Sequence, residues 1–285
     1  MLRIALPNKG RLSDDTRALF ADAGLEIRSA GERALTASLG GEFKALFVRA
    51  QDIPEIVSDG AADVGVTGWD LVLESGRPLA RLLDLGFGRC RLVVAVRDDS
   101  AVRSAADLPS GTRVATAFPK IAATFFGRRG QQVEIVPVSG AAEVAPHLGI
   151  ADVIIDLTST GATLRVNGLR ELETVLESAA CVVAPAEGKQ VHAEAVRELT
   201  AALESVLRAR GQRYLMANVP RSALPEVRKV IPGLNGPTVI DILNGGVHVA
   251  VHAVVAADSV YRTVASLKSL GAEGILVTRI ERLMP

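Results

Sequence analysis

Short apolar runs alternate with amphipathic stretches from the start of the chain, and that alternation is what limits the folds open to it. LRIAL (2–6) reads as a strand. SDDTRALFADAG (13–24) repeats its apolar residues at helical spacing, opens on Ser13 and stops at Gly24. RALTASLG (33–40) and EFKALFVRA (42–50) predict a hairpin turning at Gly40-Gly41. DIPEIVSDG then predicts a short helix, DVGVTG a strand and WDLVLESG another helix. From Cys90 a second unit begins, with RLVVAVR, TRVATAF, VEIVPV and ADVIIDL as strands separated by helices around Ala106, Ala122 and Val144. This is the order of an open α/β sheet.

The two units share a pattern. GAADVGVTG (60–68) aligns with GIADVIIDL (149–157) at an offset of 89 residues, matching Gly60 to Gly149, Ala62 to Ala151, Asp63 to Asp152 and Val64 to Val153. The expectation is two α/β lobes around a cleft, a periplasmic-binding-protein-like plan, with the ligand between them. Lobe I takes residues 1–89 with 181–210, where ACVVAP (180–185) leads into a long helix over 189–210 stopped by Gly211. Lobe II takes 90–180. Beyond 211 the order becomes strand YLMANVP, helix SALPEVRKVI, strands PTVIDIL and VHVAVHAVVA, helix DSVYRTVASLKSLGA, strand EGILVTRIERL. That is βαββαβ, a ferredoxin-like domain over 211–285.

Lysine plus arginine and aspartate plus glutamate number 32 each, so no global field favours nucleic acid or an anionic membrane. A polyanionic ligand needs a local basic cluster instead. The N-terminal apolar run is too short for a signal peptide, and no apolar stretch reaches the ~18 residues of a membrane span, so a cytoplasmic protein is expected. Cys90 and Cys181 lie far apart without a CxxC, which suits free thiols in a reducing compartment. No GxxxxGK[ST] and no GxGxxG follows a strand. His248 and His252 fall on a strand about 13 Å apart, too far to share a metal, and no protein-bound metal is expected.

The candidate chemistry gathers at strand ends. In DVIIDLTSTGATL, Asp152 and Asp156 lie four apart on one strand and share a face, with Asp156 at the carboxyl end where open α/β sheets bind ligands. Thr158, Ser159, Thr160 and Thr163 supply hydroxyls around the flexible Gly161. A carboxylate for sugar hydroxyls beside a hydroxyl- and amide-rich loop for phosphate suits a ribose 5-phosphate, although a plain helix-capping turn has the same composition. PNKGRL (7–12) follows the first strand with Lys9, Gly10 and Arg11 where an anion can meet cations and free amides. Arg49 sits at a strand end, and TGWD places Thr67 and Asp70 after another; either set could face the cleft, or the surface.

PNKGRL, RAQDIPEIVSDGAADVGVTGWDLV, DLGFGRC and GIADVIIDLTSTGATL together resemble the ATP phosphoribosyltransferase family. QRYLMANVPRSALPEV and IPGLNGPTV resemble the regulatory domain of its long form. The resemblance implies transfer of the phosphoribosyl group of phosphoribosyl pyrophosphate to N1 of ATP, with Mg²⁺ on the pyrophosphate and histidine as feedback inhibitor. It implies that Asp156 binds ribose hydroxyls and that Thr158, Ser159, Thr160, Gly161, Ala162 and Thr163 cradle the 5-phosphate, Ala162 through its backbone. Lys9, Arg11 and Arg49 would meet the polyphosphates. It further implies a dimer and a hexamer, with histidine bound near Asn218 and Thr238, where an acidic residue would be expected near 218. A solute-binding protein without catalysis, a transferase for another base, and a silent regulatory subunit are the alternatives.

Overall fold

A computed structural model describes residues 1–28, 34–186, 192–243 and 246–284. It divides by internal contacts into two units, 1–200 and 201–285. The first holds two sheets.

Lobe I runs β1 (Arg3–Pro7), α1 (Arg11–Asp22), β2 (Ile27–Arg28), β3 (Thr36–Leu39), β4 (Phe43–Val48), α2 (Ile53–Ser58), β5 (Val64–Gly68), α3 (Trp69–Ser75) and β6 (Leu79–Asp84). Lobe II follows with β7 (Cys90–Arg97), β8 (Thr112–Thr116), α4 (Pro119–Gly127), β9 (Val133–Pro137), β10 (Val153–Thr158), α5 (Ala162–Val166) and β11 (Leu169–Ser178). The chain then returns through β12 (Ala180–Pro185), which inserts between β5 and β6, giving lobe I the order β2-β3-β4-β1-β5-β12-β6. Lobe II has the order β11-β7-β10-β8-β9. In lobe I, β4, β1 and β5 are parallel neighbours, and every residue of β5 is buried. Covered on both faces, such a strand has no polar side to show, which is why VGVTG reads as a continuous run.

The expected hairpin forms between β3 and β4, turning through Gly40 and Gly41, both at positive φ; Arg33, its expected first residue, lies outside the described residues. The helices expected around Ala106 and Val144 are single 3₁₀ turns, Ala105–Asp107 and Ala142–Val144. Pro109 and Pro146 follow closely and cannot continue a helix. The long helix, α6, covers Ala193–Arg210; its expected start at 189–191 lies outside the described residues.

The repeat has a physical meaning. Asp63 accepts the Arg3 backbone N–H at 2.7 Å while the Arg3 guanidinium donates to the Gly60 carbonyl. Asp152 accepts the Arg113 backbone N–H at 2.9 Å while the Arg113 guanidinium donates to the Gly149 carbonyl. In each lobe, GxAD thus clamps the amino end of a central strand to its parallel neighbour, β5 to β1 and β10 to β8.

Two segments join the lobes: Leu85–Arg89 and Ala179. They are cross-bonded, Ala180 N–H to the Phe87 carbonyl at 3.0 Å and Leu85 N–H to the Ala180 carbonyl at 2.9 Å. Gly88, at φ 64°, touches α1: a Cβ there would stand 2.7 Å from Cδ2 of Leu12. Only glycine fits.

The second unit comprises the end of α6 and β13 (Gln212–Pro220), α7 (Leu224–Val230), β14 (Thr238–Asp241), β15 (His248–Ala256), α8 (Val260–Ser269) and β16 (Glu273–Arg279). Its antiparallel sheet, ordered β14-β15-β13-β16, is that of a ferredoxin-like domain. Leu215, Ala217, Val219, Val249, Val251 and Val255 form its core with Val227 and Leu267 of the helices. Alternate strand residues therefore lie on the helix-free face.

Candidate active site

Three parallel strands end together in lobe I. Because β1 lies between β4 and β5, the turn Asn8–Gly10, Arg49 and the start of α3 are neighbours. The Asn8 N–H donates to the Val48 carbonyl at 2.8 Å, locking the first turn beside Arg49. Gly10 enters α1 at φ 80°, a conformation that glycine adopts without cost. Lys9, Arg11 and Arg49 are exposed and pair with no carboxylate among the described residues, so their charge is available to a ligand.

In lobe II, β10 ends at Thr158 and α5 starts at Ala162. Thr158 is buried, and its hydroxyl accepts the Gly161 N–H at 2.8 Å. Ser159, Thr160, Ala162 and Thr163 are exposed. The Ser159 hydroxyl reaches the Arg89 carbonyl at 3.5 Å. Gly161, at φ 74°, sits where a Cβ would come within 2.9 Å of both Arg165 and Glu171. The hinge therefore joins both candidate regions, through Leu12 on Gly88 from lobe I and Ser159 on Arg89 from lobe II. A cavity of about 430 Å³ lies here, lined by Arg81, Asp84, Arg89, Cys90, Arg91, Ser159 and Glu177–Ala179.

Asp156 is half-buried. Burial raises its carboxyl pKa above the ordinary value, a hydrogen bond from the Leu157 N–H (2.8 Å) pulls the other way, and the charge of Glu143 adds to the rise. Glu143 was not legible as a site residue, because it follows a loop rather than a strand end. One backbone sign marks it: Ala141, two residues before, is the one non-glycine residue at positive φ among those described, at 51°. The Arg91–Glu171 pair, bidentate at 2.9 and 3.2 Å, is likewise visible only in the fold.

Three sequence expectations are corrected. Asp152 is at the opposite end of β10 from the loop, held by Arg113, and its clamp role takes it out of the site. Thr67 is fully buried and its hydroxyl donates to the Ala50 carbonyl at 2.7 Å. Asp70 is buried too, bonded to the Ser178 hydroxyl behind the cavity wall rather than facing a ligand.

Burial pushes the Cys90 thiol up to about 11, with the Asp70 charge adding to it, and pushes the Cys181 thiol up to about 12. Both shifts disfavour the thiolate at neutral pH. Among the described residues no group of three or more His, Cys, Asp or Glu converges to hold an ion.

In the second unit, Thr238 pairs across β15 with His252, and His252 with Met216. Asn218, two residues on, shares that helix-free face, where the Tyr214 hydroxyl meets His252 Nδ1 at 2.7 Å.

Two α/β lobes on a double hinge, a carboxylate at a strand end followed by a hydroxyl-rich loop, and unpaired cations at neighbouring strand ends define a two-lobed α/β protein with a site suited to an anionic, hydroxyl-bearing ligand. Comparison narrows this. Residues 49–205 match the family described as HisG: ATP phosphoribosyltransferase, and 209–282 match the HisG C-terminal domain. An ATP phosphoribosyltransferase of Gemmatimonas aurantiaca is 68% identical, and one of Methanosarcina barkeri 47%, each alignment covering 100% of both chains. The solved ATP phosphoribosyl transferase (HisG:HisZ) complex from Thermotoga maritima has a chain of TM-score 0.64 and 28% identity, covering 73% of this chain and 99% of that one. The chain belongs to the ATP phosphoribosyltransferase family.

Proposed function

We propose that this chain transfers the 5-phosphoribosyl group of phosphoribosyl pyrophosphate to N1 of ATP, releasing pyrophosphate, as the first step of histidine biosynthesis. The observation that carries this is Asp156 at the carboxyl end of β10, followed at once by the exposed hydroxyls of Ser159, Thr160 and Thr163, in a chain of this family. Asp156 takes the ribose hydroxyls. Thr160, Thr163 and the backbone of Ala162 hold the 5-phosphate, with Thr158 shaping the loop from beneath by accepting the Gly161 N–H.

The chemistry needs no nucleophilic side chain. Adenine N1 carries a free lone pair, so no base must first remove a proton. The barrier lies in separating pyrophosphate from C1 while positive charge grows on the sugar. Lys9, Arg11 and Arg49 stabilise the departing anion, and the negative Asp156 stabilises the oxocarbenium-like ring. Loss of one such contact costs on the order of 3 kcal/mol. Mg²⁺ would enter with the substrate, on the pyrophosphate, where this ion commonly keeps its waters and binds through phosphates.

The second unit is proposed to bind histidine on its helix-free face near Asn218 and Thr238, and to govern a dimer–hexamer equilibrium. Asn218 offers an acceptor but no charge to the amino group, so inhibition is expected to be weaker than an acidic residue would give. We place the enzyme in the cytoplasm, consistent with its two unpaired cysteines; no described helix is long and apolar enough to cross a membrane.

The test is formation of phosphoribosyl-ATP from purified ATP, phosphoribosyl pyrophosphate and Mg²⁺, followed spectrophotometrically with and without histidine. Product is expected, suppressed by histidine. No product from folded protein would overturn the reading.

A further inference from the structure

Helix α3 belongs to lobe I, where Trp69 and Val72 pack into the core. Yet both of its ends and one face are fastened to lobe II. At its start, the Asp70 N–H donates to the Ser178 hydroxyl at 2.9 Å, and that hydroxyl donates to Asp70 Oδ1 at 2.6 Å. Ser178 is the last residue of β11. In the middle, Leu71 packs on the lobe II core.

At its end, the Glu74 carboxylate accepts two backbone N–H groups in the first turn of α4, from Lys120 at 3.1 Å and Ile121 at 3.0 Å. In return, the Lys120 ammonium donates to the Ser75 carbonyl at 2.7 Å. Amides at a helix start and carbonyls at a helix end are left without helical partners and carry opposite partial charge. Here each meets its complement from the other lobe. Gly76, at φ 69°, ends α3 in the left-handed conformation that glycine adopts readily.

A hinge with Gly86 and Gly88 in one of its two connections would by itself permit pivoting. The α3 contacts oppose that. We propose that α3 is a strut holding the two lobes at one working angle, with Glu74 a positioning residue for the transfer reaction. The α4 it grips follows β8, the parallel neighbour of β10, so the grip sets where the Ser159–Thr163 loop stands relative to Lys9 and Arg49. The kinetic part rests on the proposed function, in which those two regions share one substrate.

The test places spin labels at Glu42→Cys in lobe I and Gln132→Cys in lobe II, both exposed and outside the site. Pulsed EPR reads the distance between them without substrate, and the same proteins are assayed. The expected result is one narrow distance in the parent, a broad distribution in Glu74→Ala, and a KM for phosphoribosyl pyrophosphate raised about tenfold with a smaller change in kcat, as for a lost charged hydrogen bond. Glu55→Ala, an exposed carboxylate elsewhere on lobe I, should change neither. Should Glu74→Ala not fold, Lys120→Ala removes the reciprocal bond and is read the same way. An unchanged distribution overturns the strut whatever the kinetics. A broadened distribution with unchanged KM overturns the positioning role. If the parent shows no activity, the proposed function fails and the distance measurement still decides the strut.

Discussion

Asp152, just before β10, and Asp156, near its end, are the same residue type four positions apart, yet the structure gives them separate tasks, and a pair of substitutions separates them. Asp152 accepts the Arg113 backbone N–H at 2.9 Å and side-chain bonds at 2.9 and 3.3 Å, with its own side chain half exposed. The backbone bond contributes about 1 kcal/mol, and the exposed ion pair adds little because water and salt screen it. Asp152→Ala should therefore lower Tm by roughly 2–4 °C, the shift expected per kcal/mol in a unit of this size, and leave kcat/KM unchanged. Asp156→Asn keeps shape and the acceptor for the Leu157 N–H while removing the charge. It should reduce kcat/KM about a hundredfold, near 3 kcal/mol of lost transition-state stabilisation, without loss of stability. The assays are differential scanning calorimetry and initial rates of phosphoribosyl-ATP formation. If Asp152→Ala lost activity at unchanged Tm, or Asp156→Asn kept near-normal rates, the division of labour would be refuted.

The raised pKa of Asp156 has two consequences for pH. The folded protein takes up this proton more readily than the unfolded chain, so ionisation costs stability above the folded-state pKa, and the cost vanishes as pH falls below the ordinary carboxylate range. Asp156→Asn should thus be equal to or more stable than the parent at pH 7 by urea titration, with the gain absent in acid. The acid limb of the parent's kcat/KM profile should lie above the position of an ordinary aspartate and disappear in that variant. Cys90 and Cys181, with thiols raised to about 11 and 12, should alkylate slowly with iodoacetamide at pH 7.5, as intact-mass spectrometry would show; rapid labelling of either would contradict the burial described. A chain ending at Arg210, which keeps α6, should be insensitive to histidine in the rate assay; retained inhibition would place the regulatory site in the first unit.

The strands and helices that carry the site were legible because each follows one clean period. PNKGR, Arg49 and the loop after Asp156 stand at the carboxyl ends of predominantly apolar runs. The GxAD repeat was legible as a pattern, but its meaning was not: the partners Arg3 and Arg113 lie 60 and 39 residues away along the chain. Strand β11 was hidden for a different reason. In LRELETVLES the apolar residues fall at helical spacing, and two bulges, at Glu171/Glu173 and Thr174/Leu176, break the strand alternation. They turn Leu169 into one core and Leu172, Val175 and Leu176 into another. Its glutamates find arginines from distant elements, Arg91 for Glu171 and Arg129 for Glu173. Thr67 and Asp70 follow the strand-end rule yet are buried: β5 is covered along its whole length, and Asp70, in the first turn of α3, meets the Ser178 hydroxyl.

The most direct test of the site is a crystal structure of the enzyme with phosphoribosyl pyrophosphate and Mg²⁺. The account predicts the 5-phosphate on Ser159–Thr163, the ribose hydroxyls on Asp156, and the pyrophosphate toward Lys9 and Arg49 with the metal on its oxygens. A phosphoribosyl group bound elsewhere, with that loop empty, would contradict it.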